Sequence, residues 1–594
     1  MSLTNVSIAD STFISACNDL TVPTLLNTTI LWQTSNAVQD FTYPSIPDIA
    51  GEIPPSIRDN RTPLTFCNVT IALTHTDADK NAKDTSFITI WLPPQGTWNG
   101  RYAATGGGGL AAGVEYNMLS PLSSGFATSS TDGGLTLNHT ISPNSGLWAV
   151  KPDGNVDETL LTNLGWRSIN DMALASKDLV SKFYGGKEEY SYFIGCSQGG
   201  RQGYAAASKY PDLFQGILAS SPALGMEYIG AAAFWPFVVM GNEGEFVPSC
   251  VLERYQTALL ENCDAKNGIK DGMVSDYTLL TSCAGEFNTS SLVGTNVTCA
   301  EANKNKNIAI TDLHARILRK VLDGPIHPST EQRYFFGATP SANLSGLAGT
   351  VFNADTQSWT PKPFPPAAGW LQNAVSRNGS RDVARETFSL DKLSYEEYFT
   401  LFNKSISLGG PYLGDSYLDL KSFHEKGGKL LSWIGLADPL IPPQHILNFY
   451  DDTSAKLSDP KGANIKVNDF YRLFTAPGVG HCYGGSGPQP TNVLKRLMGW
   501  VENGTSPETL DAKGSGGEEG QRELCLYPKR SVFKEGDVSD PDDENGDENK
   551  DKSEDEDENG GGDDESGGNR ASGIPLGIHW ILALGTAAFA ISAV

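Results

Sequence analysis

Residues 189–199 read Glu189-Tyr-Ser-Tyr-Phe-Ile-Gly-Cys-Ser-Gln-Gly199, and a helical pattern follows them from Gly200 to Lys209. The first half is apolar enough to predict a short β-strand that ends at Ile194. Gly195 to Gly199 then fit the pattern G-x-S-x-G, in which small residues allow a strained turn from a strand into a helix. Such a turn would expose the hydroxyl of Ser197 at the carboxyl edge of a sheet. By itself the pattern is weak, since a serine in a glycine-rich turn is more often structural.

Strand-length apolar runs alternate with helical patterns around this turn. The further predicted strands are Ile217 to Pro222, Lys429 to Gly435 and Phe470 to Thr475. The further predicted helices are Asn170 to Tyr184, Gln444 to Leu457 and Asn492 to Asn503. This alternation is typical of an α/β fold with helices on both faces of a largely parallel sheet.

The alternation stops between residues 225 and 414, where the sequence is rich in Cys, Gly, Asn and Pro and has few clear strands. We therefore expect an inserted lid domain over 225–414, between two parts of a catalytic domain at 1–224 and 415–534. Residues 535–570 hold 17 acidic residues against three basic ones. Such a composition cannot bury a core and predicts a disordered acidic stalk.

Two residues downstream of Ser197 complete a candidate catalytic triad. Asp438 follows the predicted strand that ends at Gly435, and His481 lies in the glycine-rich segment Pro477 to Cys482. The chain order Ser, Asp, His is the order that α/β hydrolases use, and we therefore predict an α/β-hydrolase fold. In this hypothesis His481 is the general base and Asp438 orients its ring. The alternative is that Asp438 only caps a helix or holds a turn.

A cysteine adjoins each of the two reacting residues, because Cys196 precedes Ser197 and Cys482 follows His481. A disulfide between them would hold their Cα atoms about 5.5 to 6 Å apart and would make nucleophile and base neighbours. It would close a loop of well over 200 residues, for which the chain-entropy estimate is about 5 kcal/mol. The alternative is that both cysteines are buried thiols.

The composition excludes one class of protein and favours one compartment. The formal net charge is −25, but residues 535–570 carry −14 of it. The modest remaining excess excludes a nucleic-acid-binding surface, which needs clustered Lys and Arg. Nine cysteines and eleven N-x-[ST] sites predict passage through an oxidising secretory pathway. The sites are Asn5, Asn27, Asn60, Asn68, Asn138, Asn288, Asn296, Asn343, Asn378, Asn403 and Asn503.

The two ends of the chain give opposite indications about secretion. Residues 1–16 lack the basic segment and the apolar core of a signal peptide, and we expect a truncated or misassigned start. Residues 571–594 are strongly apolar and follow Ser566-Gly-Gly-Asn569, as in a GPI-anchor signal. A short membrane-spanning helix is the alternative, although the run is at the low end of the required length. We therefore expect a secreted protein that a lipid anchor holds at the cell surface.

Several motifs together resemble the tannase and feruloyl esterase family. They are the Cys-Ser, Asp and His-Cys arrangement of Ser197, Asp438 and His481, and the segments Trp98-Asn-Gly-Arg101, Gly106 to Gly109, Gly195 to Arg201 and Ser221-Pro-Ala223. The resemblance covers roughly residues 17–525. It implies a serine carboxylester hydrolase that forms an acyl-enzyme. The implied substrates are aromatic esters of plant polyphenols or cell walls, such as gallates, ferulates or related hydroxycinnamates.

The resemblance also implies an oxyanion hole beside Ser197. Its donors would be the amide of Gln198 and one amide of the loop Gly106 to Gly109, for which we choose Gly107. The sequence departs from the family in two places. Gln198 stands where a Thr or similar small residue is usual, and Gly133-Gly-Leu135 stands where a Gly-His pair usually follows Thr131-Asp132. These departures bear on substrate preference rather than on the reaction.

The segment Cys263 to Met273 resembles the calcium loop of the family. The implied ligands, all oxygen donors as Ca²⁺ prefers, are the side chains of Asp264, Asn267 and Asp271 and the carbonyls of Ile269 and Met273. A plain turn loop is the alternative. Spacing does not determine disulfide pairing, but the further pairs we expect are Cys263 with Cys283, Cys250 with Cys299 and Cys17 with Cys67, leaving Cys525 outside any disulfide.

Two other functions are compatible with the same sequence. The triad could act on another small aromatic ester or a metabolite, or the chain could be a noncatalytic surface glycoprotein that uses stalk and anchor for adhesion. Comparing several esters as substrates separates the first alternative. Covalent labelling of Ser197 by a fluorophosphonate separates the second. For Phe234 and Trp235, core packing is expected ahead of a stacking contact with substrate.

Overall fold

The computed structural model describes residues 8–531, except for residues 23, 43–62, 77–83, 301–305, 377–391, 417, 461–462 and 515–520. The predicted stalk at 535–570 and the predicted anchor signal at 571–594 lie outside the described residues, as do Asn5, Asn60 and Asn378 of the glycosylation sites. In the described ranges, no helix has both the length and the apolar character needed to cross a membrane.

A nine-stranded sheet forms the centre of the protein, in the spatial order β1-β2-β3-β5-β4-β6-β7-β12-β13. Its strands are β1 (Thr28–Phe41), β2 (Leu64–His75), β3 (Ser86–Leu92), β4 (Arg101–Thr105), β5 (Ala127–Thr131), β6 (Tyr190–Cys196), β7 (Gly216–Ser220), β12 (Lys429–Gly435) and β13 (Tyr471–Ala476). The pairs from β1 to β3 and the pair of β3 with β5 are antiparallel, and the remaining pairs are parallel. The carboxyl ends of the parallel strands therefore share one edge, where α/β sheets bind their ligands.

The parallel strands are buried on both faces, which is why they are continuous apolar runs in the sequence. Every residue of β7 and of β13 is buried. In contrast, β1 is made only of half-buried and exposed residues, because it forms one edge of the sheet. The four strands predicted from the sequence correspond to β6, β7, β12 and β13.

Helices cover both faces of the sheet, as the α/β prediction requires. On one face, Leu179 and Tyr204 from two helices join the core of Leu430 and Leu473. On the other face, Leu497 and Trp500 pack with Leu431 and Phe474. The helices predicted from the sequence are Ser168–Tyr184, Gln198–Lys209, Pro443–Ser458 and Val493–Asn503. The other α-helices of the described chain are Ile8–Asn18, Leu119–Ser123, Glu158–Thr162, Met226–Ala232, Trp235–Glu243, Ser249–Asp264, Leu279–Glu286, Asp312–Asp323, Leu344–Leu347, Pro365–Gly369, Tyr395–Leu413 and Lys421–Glu425.

The chain leaves the main sheet after β7 and returns to it at β12. In the described residues between them, helices surround two hairpins, β8 (Asn296–Cys299) with β9 (Lys306–Ala309) and β10 (Thr350–Asn353) with β11 (Ser358–Pro361). The predicted lid boundaries fall at Gly225, just before the helix Met226–Ala232, and at Gly414, just after the helix Tyr395–Leu413. A small sheet of β14 (Gln489–Pro490), β15 (Thr509–Lys513) and β16 (Gln521–Cys525) follows β13.

Four disulfides staple the structure, and their pairing is the one predicted. They join Cys17 to Cys67, Cys196 to Cys482, Cys250 to Cys299 and Cys263 to Cys283. Cys525 takes no part in a disulfide. Two of the four bridges lie within the segment between β7 and β12, and one connects the two parts of the predicted catalytic domain.

Candidate active site

Ser197 lies on the turn between β6 and the helix Gln198–Lys209. Its φ is 61°, in the left-handed region that side chains other than glycine rarely adopt. The turn is so closely packed that a Cβ on Gly195 would lie 2.4 Å from the carbonyl of Gly199. A Cβ on Gly199 would lie 2.6 Å from the carbonyl oxygen of Gly107. Both positions therefore require glycine, which is the physical basis of the G-x-S-x-G pattern.

His481 reaches Ser197 from the loop that follows β13. Its Nε2 lies 2.9 Å from Ser197 Oγ, within hydrogen-bond distance for a general base. The loop is held in place by its own hydrogen bonds. The amide of Gly480 donates to the carbonyl of Gly484 at 2.9 Å, and the side-chain amide of Gln489 bonds both the N–H and the carbonyl of Gly484, each at 3.0 Å.

Asp438 has both of its predicted alternative roles, since it orients His481 and also holds a turn. Its Oδ2 lies 2.7 Å from His481 Nδ1. Its Oδ1 accepts hydrogen bonds from the amides of Leu440 at 2.8 Å and Ile441 at 2.9 Å, which hold the turn after β12. The side chain is buried, so the carboxylate faces the imidazole with little competition from water. The structure thus brings Ser197, His481 and Asp438 together in the order Oγ, Nε2, Nδ1, Oδ2.

The prediction that the amide of Gly107 donates to the oxyanion is wrong. Its amide already donates to the side-chain Oε1 of Gln202 at 2.9 Å, and so it is not available to a substrate. Gly109, at a φ of 60°, lines the cleft beside Ser197 instead. Gln198 is the first residue of its helix, so its amide has no acceptor within the helix. These two amides are candidate donors to an oxyanion.

The error at Gly107 has a cause that lies outside the loop. Gln202 belongs to the helix that begins after Ser197, and its Nε2 also donates to the carbonyl of Ala112 at 2.9 Å. One side chain therefore bonds both Gly107, within the glycine-rich loop, and Ala112, three residues after it. A motif that lists only glycines cannot show which amide an approaching side chain will engage.

An apolar cleft opens beside the triad, with an empty volume of about 380 Å³ when counted out to solvent. Besides Ser197, His481, Gln198 and Gly109, its lining residues are Ala223, Met226, Ile229, Ala233, Phe364, Leu440 and Ile441. No motif in the sequence indicates these residues as substrate contacts. Leu440 and Ile441 were within reach of sequence reasoning, because they directly follow the triad residue Asp438. Phe364 was not, because only the fold brings it to Ser197.

The aromatic residues considered for stacking lie elsewhere. Phe234 and Trp235 are buried, and the indole of Trp235 packs against Tyr398 and Phe399. Its Nε1 donates to the carbonyl of Lys320 at 2.8 Å. Core packing is thus the role of Trp235, as expected.

A buried arginine lies beneath the nucleophile turn. The Arg201 guanidinium is fully buried and donates to the side-chain Oε1 of Gln198 at 2.7 Å and to the carbonyl of Leu164 at 2.9 Å. Close by, burial and then the charge of Asp415 raise the pKa of Glu227 well above its usual range. Burial thus opposes ionisation of Glu227.

The predicted calcium loop closes on itself through its two carboxylates. Asp264 accepts hydrogen bonds from the amides of Asp271 at 3.3 Å and Gly272 at 3.0 Å. Asp271 also forms an ion pair with Arg522 at 2.9 Å, and the side chain of Asn267 lies outside the described residues. In the described chain no three His, Cys, Asp or Glu side chains gather into a metal cluster. Carbonyl oxygens would therefore have to complete a site of the oxygen-donor type that fits Ca²⁺.

This loop touches the loop that carries His481. The hydroxyl of Ser486 donates to the carbonyl of Gly272 at 3.3 Å. The side chain of Met273 packs so closely on Gly478 that a Cβ at that position would lie 2.7 Å from its Cγ. The conformation of the predicted calcium loop thus bears on the position of the general base.

The chain is similar to several known proteins. A family model described as tannase and feruloyl esterase matches residues 67–546. A probable feruloyl esterase from Arthroderma benhamiae is 37% identical over 500 residues, 82% of this chain and 87% of the relative. A mono(2-hydroxyethyl) terephthalate hydrolase from Piscinibacter sakaiensis is 26% identical over 74% of this chain and 78% of its own length.

Two solved structures share the fold. Tannin acyl hydrolase from Aspergillus niger has a TM-score of 0.74 at 24% identity, over 88% of this chain and 93% of that one. Feruloyl esterase B from Aspergillus oryzae has a TM-score of 0.64 at 22% identity, over 88% of this chain and 97% of that one. The large mixed sheet flanked by helices is therefore the α/β-hydrolase-like fold that the sequence predicted.

Proposed function

Since the chain belongs to the tannase and feruloyl esterase family and is a carboxylic ester hydrolase, we propose that Ser197, His481 and Asp438 cleave aromatic esters through an acyl-enzyme. The observation that carries this proposal is the 2.9 Å distance from His481 Nε2 to Ser197 Oγ. This distance joins residues that lie 284 positions apart in the chain.

Acylation follows from the order of the triad atoms. His481 Nε2 takes the proton of Ser197 while Oγ forms a bond to the ester carbonyl carbon. The tetrahedral intermediate then breaks its bond to the alcohol oxygen, which leaves with the proton from Nε2. Asp438 Oδ2 accepts from Nδ1, so it keeps the ring in the tautomer with a free Nε2 and stabilises the imidazolium.

Deacylation repeats these steps with water. His481 removes a proton from the water as its oxygen attacks the acyl carbon, and the proton returns to Ser197 Oγ as the acid departs. In both halves the negative charge forms on the carbonyl oxygen. The amides of Gln198 and Gly109 are our proposed donors to it, and the Gln198 amide adds the positive end of its helix.

The cleft supports an aromatic acyl group as the part of the substrate that binds beside Ser197. Its walls are apolar and include Phe364, which suits a planar ring. Ferulate and related hydroxycinnamate or gallate esters fit this description, in line with the names of the relatives. A terephthalate monoester is a second candidate because of the relative from Piscinibacter. Among the described lining residues, however, there is no Lys or Arg to pair with its free carboxylate.

A substrate panel with a matched variant tests the proposal. Wild type and Ser197→Ala should be compared on methyl ferulate, methyl gallate, mono(2-hydroxyethyl) terephthalate and phenyl acetate. We expect the wild type to favour an ester of an aromatic acid over phenyl acetate, and the variant to lose at least about 10⁴-fold in kcat/KM. Retained activity in Ser197→Ala, or no fluorophosphonate label on Ser197, would contradict the mechanism.

We further propose that the protein is secreted, glycosylated and anchored at the cell surface. Asn27, Asn138, Asn288, Asn296, Asn343, Asn403 and Asn503 are exposed sequon asparagines. Asn68 is half-buried within β2 and is the least suited of the described sites. Digestion of native protein with an endoglycosidase should lower its apparent mass, and a phosphatidylinositol-specific phospholipase should release it from membranes if the terminal apolar segment is replaced by a lipid.

A structural Ca²⁺ in the loop from Asp264 to Met273 is also part of the proposal. Asp264, Asn267 and Asp271 would supply side-chain oxygens, and Ile269 and Met273 would supply carbonyl oxygens. When bound, the ion would contribute positive charge that holds these oxygens together. Arg522 already balances one charge at Asp271, so we expect a site of modest affinity.

A further inference from the structure

A second apolar pocket adjoins the cleft beside the triad. Its walls include the end of the helix Met226–Ala232, residues 335–338 and the turn that follows β12. Its empty volume is about 430 Å³ when counted out to solvent, within the range of small-molecule sites. Ala233 and Leu440 line both the cleft and this second pocket. The two spaces are therefore neighbours that share a wall, and Leu440 in that wall is only half-buried.

The walls of the second pocket are closely packed. A Cβ on Gly324 would lie 2.6 Å from the amide nitrogen of Gly337, so the two stretches of chain that carry these glycines are in direct contact. The ring of Phe335 is stacked on the ring of Tyr228, with centroids 5.5 Å apart and planes 1° from parallel. Walls fixed in this way bind a ligand without the free-energy cost of being ordered first.

The second pocket offers almost no side-chain hydrogen bonds. Among its described lining residues, only Trp235 and Asp438 have polar side-chain atoms. The Nε1 of Trp235 already donates to the carbonyl of Lys320, and the carboxylate of Asp438 is engaged by His481 and two backbone amides. Four other lining residues are prolines, which have no N–H. A sugar would lose hydration there without replacement, whereas an apolar group would not.

The order of the triad indicates which part of an ester faces the second pocket. Ser197 and His481 line the cleft, whereas Asp438 lines the second pocket. The direction from the cleft to the second pocket therefore runs from the nucleophile toward the base and its partner. The alcohol oxygen takes its proton from His481 Nε2 as it leaves, so the alcohol part lies on this side of Ser197.

We propose that the second pocket binds the alcohol part of the substrate, and that this alcohol is apolar rather than a sugar. This inference rests on the proposed function, in which the acyl group is aromatic and lies in the cleft. It narrows the substrate class to esters that have apolar groups on both sides of the bond that is cleaved. Ala233 and Leu440 then contact both groups.

A series of ferulate esters tests the second pocket in the wild type. The acyl group is held constant, and the alcohol is methanol, benzyl alcohol, phenylethanol or glucose. Methanol and benzyl alcohol are leaving groups of similar acidity, so a difference in kcat/KM between their esters reports binding of the alcohol part. We expect the benzyl and phenylethyl esters to exceed methyl ferulate at least about tenfold, and the glucose ester not to exceed it. Equal values, or a preference for the glucose ester, would overturn the inference.

Two variants with opposite expected effects assign the preference to the second pocket. Ala232 and Phe336 line this pocket and are not among the residues that line the cleft. Ala232→Leu fills part of the pocket and should lower the ratio of kcat/KM between benzyl and methyl ferulate toward one. Phe336→Ala enlarges the pocket and should raise the ratio between naphthylmethyl and benzyl ferulate. Either variant decides the question if the other does not fold, and an unchanged ratio in a folded variant contradicts the inference.

Ala258→Leu is the matched control. Ala258 is also a half-buried alanine of a helix, Ser249–Asp264, and it lines neither space, so both ratios should equal those of wild type. The ratio of kcat/KM between methyl ferulate and methyl acetate tests whether the second pocket holds part of the acyl group instead. If Ala232→Leu changes this ratio and leaves the ratio between benzyl and methyl ferulate unchanged, the assignment to the alcohol is wrong.

Failure of the proposed function would look different. In that case Ser197 would still react with a fluorophosphonate and p-nitrophenyl acetate would still be hydrolysed, but no ferulate ester of the series would be cleaved. If instead all ferulate esters are cleaved at similar rates, the proposed function stands and only the assignment of the second pocket is lost.

Discussion

Cys196 and Cys482 are 286 residues apart in the chain, yet their disulfide holds their Cα atoms 6.0 Å apart. Each adjoins a reacting residue, so the bridge fixes the separation of the Ser197 turn and the His481 loop. Both loops also have strained backbones, since Ser197 and Cys482 have φ values of 61° and 63°. The disulfide thus maintains a catalytic geometry that neither loop is expected to keep alone.

Removing this disulfide should reduce activity more than stability alone explains. We expect Cys196→Ala/Cys482→Ala to lose several kcal/mol of unfolding free energy, since the chain-entropy estimate for so long a loop is about 5 to 6 kcal/mol. We also expect a loss of at least about tenfold in kcat/KM at temperatures where the variant remains folded. Thermal unfolding and steady-state kinetics measure the two effects.

The matched control is Cys250→Ala/Cys299→Ala, which removes a bridge within the segment between β7 and β12. Its loop spans 49 residues, for which the same estimate is about 4 kcal/mol. We expect a comparable loss of stability and nearly unchanged kcat/KM below the midpoint of unfolding. If both pairs of substitutions affect kcat/KM equally, the bridge at Cys196 has no special part in catalysis.

Asp438→Asn should separate the two roles of Asp438. The asparagine oxygen can still accept from the amides of Leu440 and Ile441, so we expect unfolding free energy to change by less than about 1 kcal/mol. The amide nitrogen cannot accept from His481 Nδ1, which leaves the ring in the wrong tautomer. We expect kcat to fall about 10⁴-fold. Asp438→Ala should lose stability as well, and a variant Asp438→Asn that keeps a tenth of wild-type kcat would contradict the assigned role.

The triad could be predicted from the sequence because each of its residues follows a strand with a recognisable pattern. In addition, a cysteine adjoins Ser197 and another adjoins His481. The prediction failed at Gly107, because the partner of that amide is Gln202, a side chain from another element. It also missed Phe364, whose place in the cleft depends on how the segment between β7 and β12 folds over the sheet. Local motifs predicted strand ends and turns, whereas contacts between distant elements required the structure.

A buried charge cluster that no motif indicates makes stability depend on pH. His75 Nδ1 and Nε2 lie 2.5 Å from Asp84 and 3.0 Å from Asp171. Burial and the charge of Arg167 both lower the pKa of His75. The hydrogen bonds to Asp171 and Asp84 and the charge of Asp84 outweigh these effects and raise the pKa from 6.5 to about 9. Burial opposes ionisation of Asp84 as well, yet His75 holds the pKa of Asp84 well below its usual range.

The directions of the pKa shifts of His75 and Asp84 define a pH range of maximum stability. The contribution of His75, about 3 kcal/mol for a shift of this size, is fully present below pH 6.5 and is lost as pH rises through 9. The contribution of Asp84 is present above about pH 4 and is lost as pH falls. Urea unfolding gives the difference in unfolding free energy between wild type and His75→Gln. This difference should be about 2 to 3 kcal/mol larger at pH 6 than at pH 9.5. A difference independent of pH would show that His75 is not charged in the folded protein.

If the loop from Asp264 to Met273 binds Ca²⁺ as proposed, removal of the ion should destabilise the protein and disturb the His481 loop. We expect dialysis against EDTA to lower Tm by several degrees. We expect it to lower kcat/KM as well, because the loop from Asp264 to Met273 packs on Gly478. Added Ca²⁺ should restore both Tm and kcat/KM. Asp264→Asn should abolish the shift in Tm, whereas Glu286→Gln, which removes an exposed acid that pairs with Lys266, should keep it.

Arg522→Ala gives the sharpest test of this calcium site, because it removes the cation that now faces Asp271 at 2.9 Å. If the loop binds Ca²⁺, the variant should need less of the ion for half of the stabilisation, since one competing positive charge is gone. If the guanidinium takes the place of a metal, Arg522→Ala should lose stability that Ca²⁺ does not restore, and wild type should have the same Tm in EDTA and in Ca²⁺. Titration of Tm against free Ca²⁺ in wild type and variant decides between the two, since only a bound ion makes the midpoint depend on its concentration.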